Sequence, residues 1–161
     1  MEGVDFDETF APIARMKSIR VLVALACHLK FKLYQMDVKA AFLNGLLKED
    51  VYVAQTKGFI DSHFLDHVLY LKKALYGLKQ APKAWYDRLI QYLVSHGFTR
   101  GKADQTFFIK REDGELFIAQ VYVDDIIFGL TKDELAHNFS KLIQAEFEMS
   151  MIGELTHFLG L

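Results

Sequence analysis

The sequence is poor in the features that mark secreted, membrane-spanning and disordered proteins. It contains two prolines and one cysteine, Cys27, which cannot form an internal disulfide and is expected in the core. No apolar run reaches the roughly 18 residues that span a bilayer, and residues 1–8 are acidic, unlike a signal peptide. We therefore expect an intracellular chain with no membrane partner.

Net charge is low as well, at −2 with a pI near 6.3, which argues against a protein that holds nucleic acid by bulk electrostatics. Segment 70–88 is the exception, because Asp87 is its only anionic residue. Its five cations are Lys72, Lys73, Lys79, Lys83 and Arg88. The resulting local charge of +4 indicates either a solvated lysine-rich face or a surface for phosphate groups.

Apolar sequence is abundant: 52% of the residues are hydrophobic and 25% are charged, enough to form a core in one domain or in part of a larger one. Helical spacing of apolar residues predicts helices at 18–30, 82–96 and 132–147. Ser18 is placed to cap the first of them. Strand-like patterns are predicted at 31–36, 50–54, 67–72, 107–110 and 116–123, followed by a short strand-like tail. This mixture predicts an α+β fold.

Two adjacent carboxylates, Asp124 and Asp125, stand between two apolar runs, although aspartate is depleted within strands. They either form a tight turn between buried strands or supply oxygen ligands for Mg²⁺. Asp37, at the end of another short apolar strand, is either a third carboxylate ligand or the N-cap of the helical turn that follows. Spacing alone leaves both alternatives open.

Three motifs, in a fixed order along the chain, resemble those of a known family. The run Tyr122-Val123-Asp124-Asp125 resembles the Tyr-x-Asp-Asp box of reverse transcriptases. Segment 36–45, Met-Asp-Val-Lys-Ala-Ala-Phe-Leu-Asn-Gly, resembles the first carboxylate box of the Ty1/copia retrotransposon branch, and segment 75–86 resembles its linking motif. Residues 7–12 and 153–160 also match, so the resemblance covers essentially the whole chain.

The resemblance implies the palm of a right-hand polymerase, an antiparallel sheet with packed helices, together with part of the fingers and no thumb. Residues 1–161 would be a partial reverse transcriptase domain that performs RNA-directed DNA synthesis on a primer 3′-hydroxyl. Asp37, Asp124 and Asp125 would be the catalytic residues and would hold two Mg²⁺ ions, or Mn²⁺. The alternative is a non-catalytic remnant, or a nucleic-acid-binding module, that retains the palm fold.

Four further residues receive substrate-binding roles from the resemblance. Phe42 would stack under the incoming sugar and reject a 2′-hydroxyl, and Gly77 would let the backbone approach the nucleotide. Lys79 would contact phosphate, and Tyr122 would lie near the primer end. Core packing is the alternative for Phe42, and a solvated surface position is the alternative for Lys79.

The implied partners are an RNA or DNA template with its primer and deoxynucleoside triphosphates, in the cytoplasmic particle of a retroelement. The rest of such a Pol polyprotein, with the remaining fingers, the thumb and the RNase H domain, is expected but absent from this sequence. We therefore expect the chain alone to be inactive or weakly active.

Two other residue groups receive no site role. His63 and His67 have the i,i+4 spacing of a metal pair but no third ligand, so no metal site is predicted there. Trp85, Tyr86 and Tyr92 could stack on bases, but their helical spacing favours packing in the core.

Overall fold

The structure, a computed structural model, describes residues 11, 13, 15–132 and 134–156. Two compact units divide these residues. The hairpin unit comprises residues 11 and 42–88, and the sheet unit comprises the described residues of 13–41 and 89–156. Residues 7–10, 12 and 157–160 of the opening and closing motifs lie outside the described residues.

Helices and strands are mixed along the chain, as expected of the predicted α+β class. In chain order the elements are α1 (Met16–Leu29), β1 (Leu33–Val38), a 3₁₀ helix (Ala41–Asn44), β2 (Leu46–Ala54), β3 (Val68–Lys73), α2 (Ala81–Ser95), β4 (Thr99–Arg100), β5 (Phe107–Glu112), β6 (Glu115–Tyr122), β7 (Asp125–Leu130), α3 (Glu134–Gln144) and β8 (Met149–Glu154). None of the helices in the described part of the chain is long and apolar enough to cross a membrane.

The sheet unit is built on one six-stranded sheet with the order β4-β5-β6-β7-β1-β8. Every neighbouring pair of strands is antiparallel. Strand β1 comes from the start of the chain, yet it lies between β7 and β8 from its end. This crossover brings Asp37 to the same part of the sheet as the Asp124–Asp125 hairpin.

Helix α1 covers one face of this sheet because its apolar residues recur at three- and four-residue intervals. Its buried side chains and those they pack with are Ile19, Leu22, Ala26, Phe31, Leu33, Ile118 and Ile127. Gly129 lies on the same face, paired with Leu33 and Ile118. A Cβ atom there would lie 2.7 Å from Phe31 Cδ2, so close packing requires glycine at this position.

Helix α3 covers the opposite face with aromatic contacts. The ring centroid of Phe139 lies 4.4 Å from that of Phe117 and 4.8 Å from that of Phe128. The C-terminal part of α2 joins this layer, because the Tyr92 hydroxyl donates a 2.7 Å hydrogen bond to the Leu142 carbonyl. The sheet therefore has an apolar core on both faces.

The hairpin unit contains the antiparallel pair β2–β3 and the N-terminal part of α2. The rings of Tyr52 and Tyr70 face each other across this pair, with centroids 5.4 Å apart. Gly45 packs against the start of α2 so closely that a Cβ would lie 2.6 Å from Trp85 N. Trp85 and Tyr86 are buried, which confirms core packing for these two aromatic residues.

Two predictions made from local sequence are wrong, and one of the two alternatives for Asp37 is excluded. Ser18 is not the cap of α1, because the helix begins at Met16 and the Ser18 hydroxyl donates to the Asp104 carboxylate. Cys27 is exposed rather than core, since the helix buries Ala26 and the next residue points about 100° away. Asp37 is not an N-cap, because it lies within β1 and the 3₁₀ helix begins at Ala41.

Candidate functional site

One cross-strand row of the sheet unit contains three of the predicted site residues. Asp37 on β1 pairs with Asp125 on β7, and Asp125 pairs with Tyr122 on β6. On its other side Asp37 pairs with Ser150 of β8. Directly paired residues of antiparallel strands point to the same face, with Cβ atoms about 5 Å apart. The row Tyr122–Asp125–Asp37–Ser150 therefore presents two carboxylates and two hydroxyls to one side.

Asp124 lies next to this row, in the two-residue turn that joins β6 to β7. The Asp124 carbonyl accepts a 2.9 Å hydrogen bond from the N–H of Val38, the residue after Asp37. The structure thus brings the backbones of Asp37 and Asp124 together although 87 positions separate them in the sequence. Of the two carboxylates, Asp124 lies in the turn and Asp125 is the first residue of β7. A place in the turn does not exclude a role as a metal ligand.

The turn that carries Asp124 has a strained first residue. Val123 has φ +56°, a left-handed conformation that β-branched residues rarely adopt. Two-residue hairpin turns with positive φ at the first position favour glycine there. Strain of this kind is typical of functional sites, where the surrounding structure holds a residue in an unfavourable conformation.

The carboxyl group of Asp125 is half-buried in a cluster of negative charge. Burial raises the pKa of Asp125, a hydrogen bond from Gln35 lowers it, and the nearby Asp124 and Asp37 carboxylates raise it again, so the net pKa lies above its ordinary value of 3.8. The Gln35 bond runs from Nε2 to Asp125 Oδ1 and is 2.7 Å long. A bound cation would stabilise this cluster by neutralising its negative charge.

The donor set fits a hard divalent cation, since carboxylate oxygens are the ligands that Mg²⁺ prefers. Asp37 and Asp125 already share one row of the sheet. Within the described residues, however, no three His, Cys, Asp or Glu side chains are grouped closely enough to hold one ion. The structure therefore pairs two of the three predicted carboxylate ligands and places the backbone of the third beside them.

A second aspartate of the sheet unit, Asp104, has the opposite environment. Its Oδ1 accepts hydrogen bonds from the Thr106 hydroxyl (2.6 Å) and the Thr106 N–H (2.9 Å), and its Oδ2 accepts from the Ser18 hydroxyl. Burial raises the pKa of Asp104, but the bonds from Ser18, Thr106 and the Arg15 N–H together lower it below the ordinary value. Asp104 therefore stabilises the fold as a charged group.

The other predicted substrate-binding residues belong to the hairpin unit. Phe42 is half-buried, and its ring centroid lies 4.5 Å from that of Tyr76. Gly77 has φ +94° in a turn closed by a hydrogen bond from Leu78 N to the Leu75 carbonyl, a conformation that favours glycine. Lys79 is exposed.

The positive segment 70–88 is partly neutralised by its one aspartate. Lys83 Nζ lies 2.6 Å from Asp87 Oδ1, and Lys48 approaches the same carboxylate at 3.9 Å. Lys72 and Lys73 are exposed on β3. The segment thus combines an ion-paired part on α2 with exposed cations on the hairpin.

Three residues of these arrangements were missed by sequence reasoning: Gln35, Tyr76 and Ser150. Tyr76 lies within the linking motif, so its presence beside Gly77 was a usable signal. Gln35 and Ser150 have no local signature, because their proximity to Asp125 and Asp37 depends on the register of strands far apart in sequence.

Comparison with known proteins covers the whole chain. Residues 1–161 match the family described as "Reverse transcriptase (RNA-dependent DNA polymerase)". The chain is 40% identical over 159 residues to the "Retrovirus-related Pol polyprotein from transposon RE1" of Arabidopsis thaliana, and 39% identical over 160 residues to that from transposon RE2 of the same plant. It is 37% identical over 162 residues to the "Retrovirus-related Pol polyprotein from transposon TNT 1-94" of Nicotiana tabacum.

These matches include 99% of this chain but a small part of each relative. The chain spans 11% of the RE1 and RE2 polyproteins and 12% of the TNT 1-94 polyprotein. No solved structure matches the chain.

Proposed function

Because the chain belongs to the reverse transcriptase family, in the Ty1/copia type found in retrotransposon Pol polyproteins, we propose that it forms the catalytic palm, with part of the fingers, of an RNA-directed DNA polymerase. Residues 1–161 would then be a partial domain. The observation that supports this most strongly is the pairing of Asp37 with Asp125 beside the Asp124 turn. Three carboxylates contributed by two distant segments would form the acidic centre that nucleotidyl transfer requires.

Asp37, Asp124 and Asp125 would hold two Mg²⁺ ions, or Mn²⁺. When bound, such ions activate the primer 3′-hydroxyl and neutralise charge on the triphosphate and on the leaving pyrophosphate. The residues themselves supply position: the backbones of Asp37 and Asp125 are held by strand pairing, and the backbone of Asp124 is held by its turn and by the hydrogen bond from Val38. Fixed placement of reacting groups provides much of the rate in such transfers.

Substrate contacts would come from the remaining predicted residues. Tyr122, next to Asp125 in the row, would lie near the primer end. Phe42, whose ring packs on Tyr76, would present a rigid surface to the sugar and exclude a 2′-hydroxyl. Gly77 in its turn and exposed Lys79 would contact the nucleotide backbone and phosphate.

Primer extension by the chain joined to the flanking regions of a related Pol polyprotein tests the proposal. Asp124→Asn should reduce the rate of extension by far more than tenfold, because it removes a charge that binds metal. Asp104→Asn is the matched control, since it is the same substitution at an aspartate outside the carboxylate row, and it should retain extension where the protein is folded.

A rate above about one tenth of the parent for Asp124→Asn would contradict the assignment, since the lost stabilisation of the transition state would then be below ~1.4 kcal/mol. Binding of a primer–template without any extension by the parent would favour a nucleic-acid-binding module instead. A salt titration of that binding would count the phosphate contacts.

A further inference from the structure

The side-chain amide of Gln35 makes a hydrogen bond inside the carboxylate cluster. We propose that Gln35 is a positioning residue, which fixes one oxygen of Asp125 so that the other is presented to a divalent cation. The bond joins Gln35 Nε2 to Asp125 Oδ1 over 2.7 Å. This inference rests on the function proposed above and extends it to a residue outside the three aspartates.

Strand geometry explains why Gln35 reaches Asp125. Gln35 and Asp37 are two residues apart on β1, so their side chains point to the same face. Ile127 lies directly opposite Gln35, and Asp125 is the diagonal neighbour. Diagonal neighbours on one face are within reach of a long side chain, which glutamine has and asparagine lacks.

The residue of β8 that pairs with Gln35 has no side chain. Gln35 pairs there with Gly153, and the register of β1 and β8 shifts by a bulge between Gln35 and Met36. Gly153 has φ +123°, which favours glycine, and a Cβ built there would have no atom within 4 Å. Gly153 therefore offers no side chain to the Gln35 amide, which is turned toward Asp125 on β7.

A single donor is enough to orient this carboxylate. Gln35 donates its hydrogen bond to one of the two oxygens of the Asp125 carboxylate. With Oδ1 held by Gln35, rotation of the carboxyl group is restricted, and Oδ2 is left for the cation. Partners that hydrogen-bond a metal ligand in this way commonly change metal affinity or activity by about 10–100-fold when removed.

Mn²⁺ binding by the 161-residue chain, measured by electron paramagnetic resonance titration, tests the proposal without catalysis. Gln35→Met keeps the length of the side chain and removes its N–H, so Mn²⁺ should bind about 10–100-fold more weakly than to the parent. Gln144→Met is the matched control, because the Gln144 amide also donates a hydrogen bond, a 3.2 Å bond to the Met149 carbonyl. It should bind Mn²⁺ as the parent does.

Thermal unfolding without metal shows whether each variant is folded. If Gln35→Met is unfolded, Gln35→Asn replaces it. The asparagine side chain is one methylene shorter than glutamine, so this variant should also bind Mn²⁺ more weakly than the parent. Parent-like Mn²⁺ affinity in the folded Gln35 variant would overturn the proposal. If the Gln35 variant binds Mn²⁺ like the parent while Asp124→Asn loses Mn²⁺ binding, the proposed function remains intact. If Asp124→Asn also binds Mn²⁺ like the parent, the positioning role and the proposed function are both overturned.

Discussion

Asp125→Asn should make the metal-free protein more stable, although under the proposed function it removes a metal-binding carboxylate. The change removes a half-buried charge that lies beside Asp37 and Asp124, while the amide oxygen of asparagine still accepts the bond from Gln35. Two unit charges about 5 Å apart repel by roughly 0.8 kcal/mol in water and roughly 3 kcal/mol at an effective dielectric constant of 20. For a half-exposed group we expect a gain of about 1 kcal/mol in unfolding free energy at pH 7.

Asp104→Asn is the matched control, with the opposite sign. Asp104 is surrounded by donors from Ser18 and Thr106 rather than by carboxylates. An asparagine amide group places an N–H where one of these donors needs an acceptor, so stability should fall by about 1–2 kcal/mol. The two substitutions are chemically identical, so the difference between them reports the surroundings of each side chain.

The dependence on pH separates the two aspartates further. The folded-state pKa of Asp125 is raised, so its penalty at neutral pH disappears as the pH falls through that pKa. The folded-state pKa of Asp104 is lowered, so its stabilising contribution persists until the pH falls below the ordinary value of 3.8. Urea unfolding followed by circular dichroism at pH 7, 5 and 3 measures both.

Mn²⁺ should reverse the order of stability. At about 100 times its dissociation constant, an ion that binds only the folded state stabilises by about 2.7 kcal/mol, which exceeds the repulsion that Asp125→Asn relieves. The parent should then be more stable than the variant. If Asp125→Asn is less stable than the parent at pH 7 without metal, the carboxylate row is not under electrostatic stress and the reasoning is wrong.

Three further predictions concern the nucleotide, the core and the isolated chain. In the chain joined to flanking Pol regions, Phe42→Val should lower the ratio of deoxynucleotide to ribonucleotide incorporation, because the smaller side chain leaves room for a 2′-hydroxyl. An unchanged ratio in a folded variant would assign Phe42 to packing against Tyr76 only. Gly129→Ala should lower stability by about 1–3 kcal/mol, because its Cβ would overlap Phe31 and Leu33, and a parent-like melting temperature would contradict this. The 161-residue chain alone, which spans only 11–12% of its relatives, should give no processive synthesis from a primed RNA template with Mg²⁺ or Mn²⁺, whereas robust multi-nucleotide products would refute this expectation.

Local sequence predicted the elements of the sheet unit better than their partners. Alternating apolar residues placed β5, β6 and the turn before Asp125 close to their observed positions, because hairpin signals are short-range. The start of α1 was misplaced because Ser18 is a good cap in isolation. Its hydroxyl instead bonds to Asp104, a residue 86 positions away. Local sequence propensity cannot predict a contact between residues so far apart in the chain.

The grouping of Asp37 with Asp124 and Asp125 was predicted from the motifs that resemble reverse transcriptases rather than from spacing. The periodicity of apolar residues in the sequence does not predict that β1 lies between β7 and β8. Gln35 and Ser150 were missed for the same reason, since an amide or a hydroxyl whose functional neighbour lies on an adjacent strand far away in sequence has no pattern of its own.

The apolar residues on either side of Asp37 keep its carboxylate on one face of the sheet. A slip of one residue along β1 would move Asp37 to the opposite face of the sheet, because side chains alternate with period two. Met36 and Val38 flank Asp37 and are buried at 0% and 2% exposure, so the slip would also move two buried side chains to half-buried positions. Burying an unpaired carboxylate costs several kcal/mol, and partial exposure of each apolar side chain adds part of the roughly 1.5–3 kcal/mol that full exposure costs. The register that places Asp37 beside Asp125 is therefore set by packing, and the acidic centre needs no attraction between its own residues to form.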